Sequence, residues 1–157
     1  IDGFYHSTQG GERGRFTDPD RFTECIKPYD LVLMQEIERS CLFNILHVCD
    51  FRMPYDDLTP FLDYPGHVVN FSHELGSEKI TGKAVSRLFD RPFMGGLDRK
   101  GIIATGTAEQ IETRVRAVLD DAPERFILGA DCTLPNDVNW DNIRTAIAAA
   151  HDYRRAA

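Results

Sequence analysis

The alternation of the chain constrains its fold most. Five short apolar runs, at 1–6, 42–49, 67–72, 91–96 and 125–130, are separated by segments with helical periodicity. Alternation on this scale predicts βαβ units and a parallel sheet. Parallel strands are covered on both faces and read as continuous apolar runs, as "FNIL" and "FILGA" do. Helices are predicted over 18–26, 28–40, 55–64, 77–89, 107–122 and 139–155. Asp18 is a candidate N-cap with Pro19 at the first helical position, Pro28 opens the second helix, and Pro60 interrupts the third. Thr107 with Gln110 three residues on forms a capping box. Inward stripes are expected from Leu31, Met34 or Gln35, and Glu38; from Ile80, Ala84, Val85 and Leu88; from Ile111, Val115, Val118 and Leu119; and from Ile143, Ile147 and Ala150. Five strands with about as many helices do not close a (β/α)8 barrel, which needs eight of each and about 250 residues. Two architectures remain: an open α/β sheet, or the later part of a barrel whose opening strands are absent.

Composition narrows the function classes. The 157 residues are 42% hydrophobic and 27% charged, enough for one domain with a real core. A formal charge of −7 argues against nucleic-acid or anionic-membrane partners, and only Arg154 and Arg155 cluster, at the tail. No apolar run approaches the roughly 20 residues of a membrane span. The expected location is cytoplasmic. The first residue is Ile1 and the chain opens directly into a strand-like run, so a piece of a longer polypeptide is expected. The four cysteines (Cys25, Cys41, Cys49, Cys132) are expected to be reduced thiols, with Cys25 and Cys41 as filler.

In both architectures ligands gather at the carboxyl ends of the strands. After the first run comes "HSTQGGER", which includes Gln9; after the second come His47, Cys49 and Asp50. Ser72, His73 and Glu74 follow the third, Asp98 and Arg99 the fourth, Asp131 and Cys132 the fifth. His47, Cys49 and Cys132 together have the composition of a zinc site, since imidazole and thiolate suit that metal and a catalytic zinc keeps three protein ligands and an open position. Asp131, His73, Glu74 or Gln9 are candidates for a labile fourth ligand. Two other readings stand beside it. One is a buried His satisfied by a carbonyl, with two inert core thiols. The other is a nucleophilic Cys–His pair, for which side chains at i and i+2 on one strand are awkwardly parallel. The "GGER" glycines do not follow a nucleotide-loop spacing and are expected to serve a turn or a close backbone approach instead.

The stretches "IDGFYHSTQGGE", "HVCD", "HVVNFSHE", "FMGGLDRKG" and "RFILGADCTLPNDVNWDNIRTAI" resemble the successive strand-end motifs of the uroporphyrinogen decarboxylase superfamily, across almost the whole chain. The resemblance implies a single domain over 1–157 that is the C-terminal part, about strands 4–8, of a (β/α)8 TIM barrel, with the N-terminal half missing. One branch of that superfamily decarboxylates porphyrinogens without a cofactor. Another comprises corrinoid-linked methyltransferases that bind zinc through His-x-Cys and a distant Cys, the pattern met here at His47, Cys49 and Cys132. The resemblance to the decarboxylases implies a Gly-His-Gly-type strand end near Asp131 and Cys132; this chain has Ala130-Asp131-Cys132 there, a departure that argues against porphyrinogen decarboxylation. The implied function is zinc-dependent activation of a thiol for methyl transfer from a corrinoid. Decarboxylation, or an inactive half-barrel that must associate with a second chain, are the alternatives. His73, Asp98 and Gln9 are the expected catalytic residues, and Asn70, Arg99, Tyr5 and Asp131 the expected substrate contacts. Expected partners are a small-molecule substrate, a corrinoid protein, and either another copy or the missing half.

Overall fold

The computed structural model describes residues 1–18, 20–50 and 53–154. Pro19 and Arg155, which carried expectations above, lie outside the described residues. The main strands are β1 (Gly3–Thr8), β2 (Phe43–Val48), β3 (Val68–Phe71), β6 (Phe93–Leu97) and β7 (Phe126–Ala130). A short hairpin, β4 (Glu74–Leu75) and β5 (Glu78–Lys79), follows β3. The helices are α1 (Arg21–Cys25), α2 (Lys27–Ser40), α3 (Gly82–Phe89), α4 (Ile102–Thr105), α5 (Ala108–Asp120) and α6 (Trp140–Asp152). The five main strands form one sheet in the order β1-β2-β3-β6-β7, parallel throughout. This is the α/β fold expected, and it is consistent with part of a TIM barrel: each strand pairs with the next main strand in sequence.

Right-handed crossovers that always step the same way leave every helix on one face of the sheet. On that face, Leu46, Val48, Val69, Phe71 and Phe93 pack against Met34 of α2 and against Val85 and Phe89 of α3. A second cluster joins Leu97 to Ile103, to Ile111, Val115 and Val118 of α5, and to Ala146 and Ala149 of α6. Phe126 packs against both clusters. Gly96 makes the α5 contact possible: with φ +103°, a Cβ there would lie 2.3 Å from Cγ1 of Val118. The opposite face is only partly covered. Tyr5 pairs with Ile45, and Met94 with Ile127, in the strand registers. Tyr5 is 46% exposed, Phe43 44% and Ile127 38%. A parallel sheet normally buries both faces.

Three expectations are corrected. The segment 55–64 is not a helix but a single 3-10 turn, Thr59–Phe61. Pro60 restricts the residue before it, and Asp57 accepts hydrogen bonds from both the amide and the hydroxyl of Thr59, diverting the backbone into an Asx turn. The turn serves the core, with Tyr55, Phe61 and Tyr64 fully buried. The segment 77–89 begins as the hairpin, with Gly76 at φ +64° in its two-residue turn. Helix starts only at Gly82, where the Thr81 hydroxyl accepts from the Ala84 amide. In α6 the buried residues are Ala146 and Ala149, with Ala150 packed against the same cluster as expected, while Ile147 is 51% exposed. Two alanines let α6 approach α5 more closely than isoleucines would. The capping box at Thr107 and Gln110 forms as expected.

Beneath α2 the sheet edge is polar. Thr8 Oγ1 donates to Asp30, Tyr64 donates to the same carboxylate, and Asn44 donates to Glu38. His6 is 8% exposed, and neither ring nitrogen has a hydrogen-bond partner. Burial pushes its pKa down, against the pull of the Glu38 and Asp30 carboxylates. The imidazole is therefore neutral in the fold. A folded pKa below the unfolded value of about 6.5 gives stability that is fully present above about pH 6.5 and lost as pH falls through the folded value. Melting temperature should be flat between about pH 7 and 8 and fall between about pH 6.5 and 5. His6→Leu should flatten part of that slope, and thermal melts across this range measure it. His47, whose pKa burial also lowers, should contribute to what remains.

Candidate metal centre

The centre is built at the carboxyl ends of β1, β2 and β7. His47 lies on the inner face of β2, its Cα opposite Ser7 of β1 and Asn70 of β3. Cys49 follows the strand directly. Cys132 stands two residues beyond Ala130, the end of β7, on a loop that reaches back across the mouth. The ligand atoms of His47, Cys49 and Cys132 all lie within 4.8 Å of one another. The two sulfurs are 3.8 Å apart and the thiols are free.

Neither ring nitrogen of His47 makes a well-formed hydrogen bond, although the residue is 3% exposed. A buried polar group without a partner is costly. Burial lowers the His47 pKa, opposed by the neighbouring Asn70 and then by the Asp50 and Asp131 carboxylates. The neutral imidazole that results is the form that ligates metal. Burial also pushes the Cys49 thiol up, and the amide of Gln9 pulls against that shift through Nε2, 3.2 Å from Sγ. Two thiolates on one tetrahedral zinc, each at about 2.3 Å, would stand about 3.8 Å apart. The orphaned imidazole, the sulfur spacing and the donor set therefore fit zinc.

The surrounding residues fix this geometry. Tyr5 stacks on His47 with ring centroids 5.2 Å apart. Its phenol donates to Asn70 Oδ1 at 2.6 Å, and burial followed by Cys132, Cys49 and Asp131 holds its pKa far above the usual range. Asn70 Nδ2 donates to the carbonyls of Met94 at 2.8 Å and Ala130 at 3.0 Å. Asp131 accepts from the Arg99 backbone amide at 2.8 Å, and burial raises its pKa.

Of the expected site residues, Tyr5, Gln9, His47, Cys49, Arg99 and Cys132 line one cavity of about 690 Å³. His73, Asp98 and Asp131 line a neighbouring cavity of about 570 Å³, and Arg99 borders both. His73 Nδ1 lies 3.2 Å from the Ile80 carbonyl, and Asp98 accepts from the Lys100 amide, so both are engaged in local turns. Asn70 supports the cluster from beneath. Sequence reasoning missed Ser7 and Lys100 in the first cavity. Ser7 was legible as the next inner-face position after Tyr5, by the period of two. Lys100 sits in a turn that carries no periodicity.

A family model described as uroporphyrinogen decarboxylase (URO-D) matches residues 13–153. No curated protein sequence matches. Among solved structures, a methyltransferase from Methanosarcina mazei superposes with a TM-score of 0.63 at 15% identity. The match covers 87% of this chain and 38% of that one, so the chain spans well under half of the methyltransferase's length. At this identity the likeness shows the fold. No helix among the described residues is long and apolar enough to cross a membrane.

Proposed function

The chain belongs to the uroporphyrinogen decarboxylase family, and on that premise we propose that it carries the zinc site of a methyltransferase that activates a thiol for methyl transfer. The observation that carries this reading is the His47–Cys49–Cys132 cluster, whose ligand atoms lie within 4.8 Å of one another. Bound there, zinc would supply the Lewis acidity that keeps a substrate thiol ionised at neutral pH.

The chain's own residues do the rest. His47 offers a neutral nitrogen, held in plane by the Tyr5 ring. Gln9 donates to Cys49 and so favours its anionic form. Arg99 and Lys100 border the same cavity and would meet the substrate from the loop after β6. In this reading His73 and Asp98 act from the adjoining cavity on the methyl-donor side, and a corrinoid is the donor. The exposed inner face, with Tyr5, Phe43 and Ile127, is where a further segment or chain would pack to complete the working pocket.

The alternative, cofactor-free decarboxylation of a porphyrinogen, has the family name as its support. Elemental analysis separates the two. After zinc supplementation and desalting, about one zinc per chain is expected. A chain that retains none, and that turns over a porphyrinogen after exhaustive chelation, would overturn the methyltransferase reading.

A further inference from the structure

Cys49 and Cys132 face one another as free thiols across the mouth of the sheet, their sulfurs 3.8 Å apart. From this contact we propose that the pair is a redox modification site: a small disulfide oxidant converts it to an intramolecular Cys49–Cys132 disulfide, withdrawing both sulfur ligands at once. A disulfide needs the sulfurs at about 2.05 Å, an approach of about 2 Å. The approach falls to the Cys132 side, which lies on the loop beyond Ala130, while Cys49 is held through its amide to Thr8 and its carbonyl to the Tyr55 phenol. Among the described residues, no second sulfur contacts Cys25 or Cys41.

Exposure sets the order of events. Cys49 is 4% exposed and Cys132 is half-buried, so Cys132 meets the oxidant first. Its sulfur bonds to one sulfur of the reagent, the reagent's S–S bond breaks, and the leaving thiolate takes up the Cys132 proton. The Cys49 sulfur then attacks the Cys132 sulfur of this mixed disulfide. The second reagent thiolate departs and takes up the Cys49 proton. The protein pair loses two electrons, and the reagent is reduced to two thiols. Cys49 is thus the resolving thiol, shielded from solvent and placed behind the one that reacts.

The metal-protection arm of the test rests on the zinc reading, whereas the crosslink itself does not. Chelator-treated protein is exposed to oxidised glutathione, then examined by thiol titration and peptide mass mapping, with zinc-loaded protein in parallel. The metal-free chain is expected to lose two of its four thiols and two hydrogen masses, in a linked peptide holding Cys49 and Cys132. The same crosslink is expected in the Cys25→Ser/Cys41→Ser variant, and a reductant should reverse it. Excess zinc should slow it by about tenfold or more, by mass action on the free pair. A stable glutathione adduct on Cys132 without a crosslink would overturn the proposal, as would a crosslink to Cys25 or Cys41. A crosslink that forms equally fast with zinc present would support the disulfide and remove the zinc reading.

Discussion

Cys132→Ser is expected to weaken zinc binding by about a hundredfold or more, leaving the desalted protein essentially metal-free. The magnitude follows from the donor set. Structural zinc sites with a full ligand set bind with about 10–16 kcal/mol of free energy, so one thiolate among a few donors carries several kcal/mol. A serine hydroxyl in place of Cys132 is a poor ligand, being protonated at neutral pH. His47 and Cys49 remain, the two imidazole nitrogens still without a well-formed hydrogen bond. The fold should survive, because Cys132 lies outside the hydrophobic clusters and beyond the last residue of β7. Circular dichroism checks the fold, and elemental analysis with a competing chelator measures the affinity. Wild-type affinity in the variant would show that Cys132 is not a ligand.

Asn70→Leu is expected to cost about 3 kcal/mol or more, a fall in melting temperature of about 6–12 °C for a chain of this size. The side chain is fully buried and makes three hydrogen bonds, one to the Tyr5 phenol and two to sheet carbonyls on β6 and β7. Leucine fills a similar volume but strands those partners, at about 1–3 kcal/mol for each buried group left unsatisfied. Asn70→Asp provides the sharper comparison. Its second carboxylate oxygen would face the Met94 and Ala130 carbonyls, so aspartate should be no better than leucine despite its near-identical shape. If Asn70 only fills space, aspartate will be mild. Because Ala130 lies two residues before Cys132 and Tyr5 stacks on His47, both variants should also lower zinc affinity by about 10–100-fold.

The legible part of this molecule was set by periodicity. All five main strands fall within two residues of their expected bounds, because short runs rich in aromatic and aliphatic residues between turn residues mark strands even where, as in β1 and β7, one face stays open. The gathering of His47, Cys49 and Cys132 was legible for a related reason. Once strands are placed, their carboxyl ends share one rim, and His47, Cys49 and Cys132 were the ligand types standing there. Asn70's role was not legible. Its two sheet-carbonyl partners lie on β6 and β7, and only the curvature of the sheet brings Ala130 within 3.0 Å. Nor was the hairpin after β3 legible, because Glu78 and Lys79 carry neither apolar pattern nor strand propensity and owe their pairing to the turn at Gly76. The 3-10 turn at Thr59–Phe61 failed as a helix through the Asp57 side chain, a local competition that apolar spacing does not record.

The order of the sheet follows the order of the chain, and this gives the centre a history. As the polypeptide emerges from the ribosome, β1, β2 and β3 can pair while the rest is still being made. His47 and Cys49 are then in place without their third companion. Cys132 arrives only when β7 has docked on β6, the final pairing of the sheet. A metal held by all three residues would thus mark a chain in which β7 has docked, and its capture during synthesis would report that pairing rather than the earlier ones.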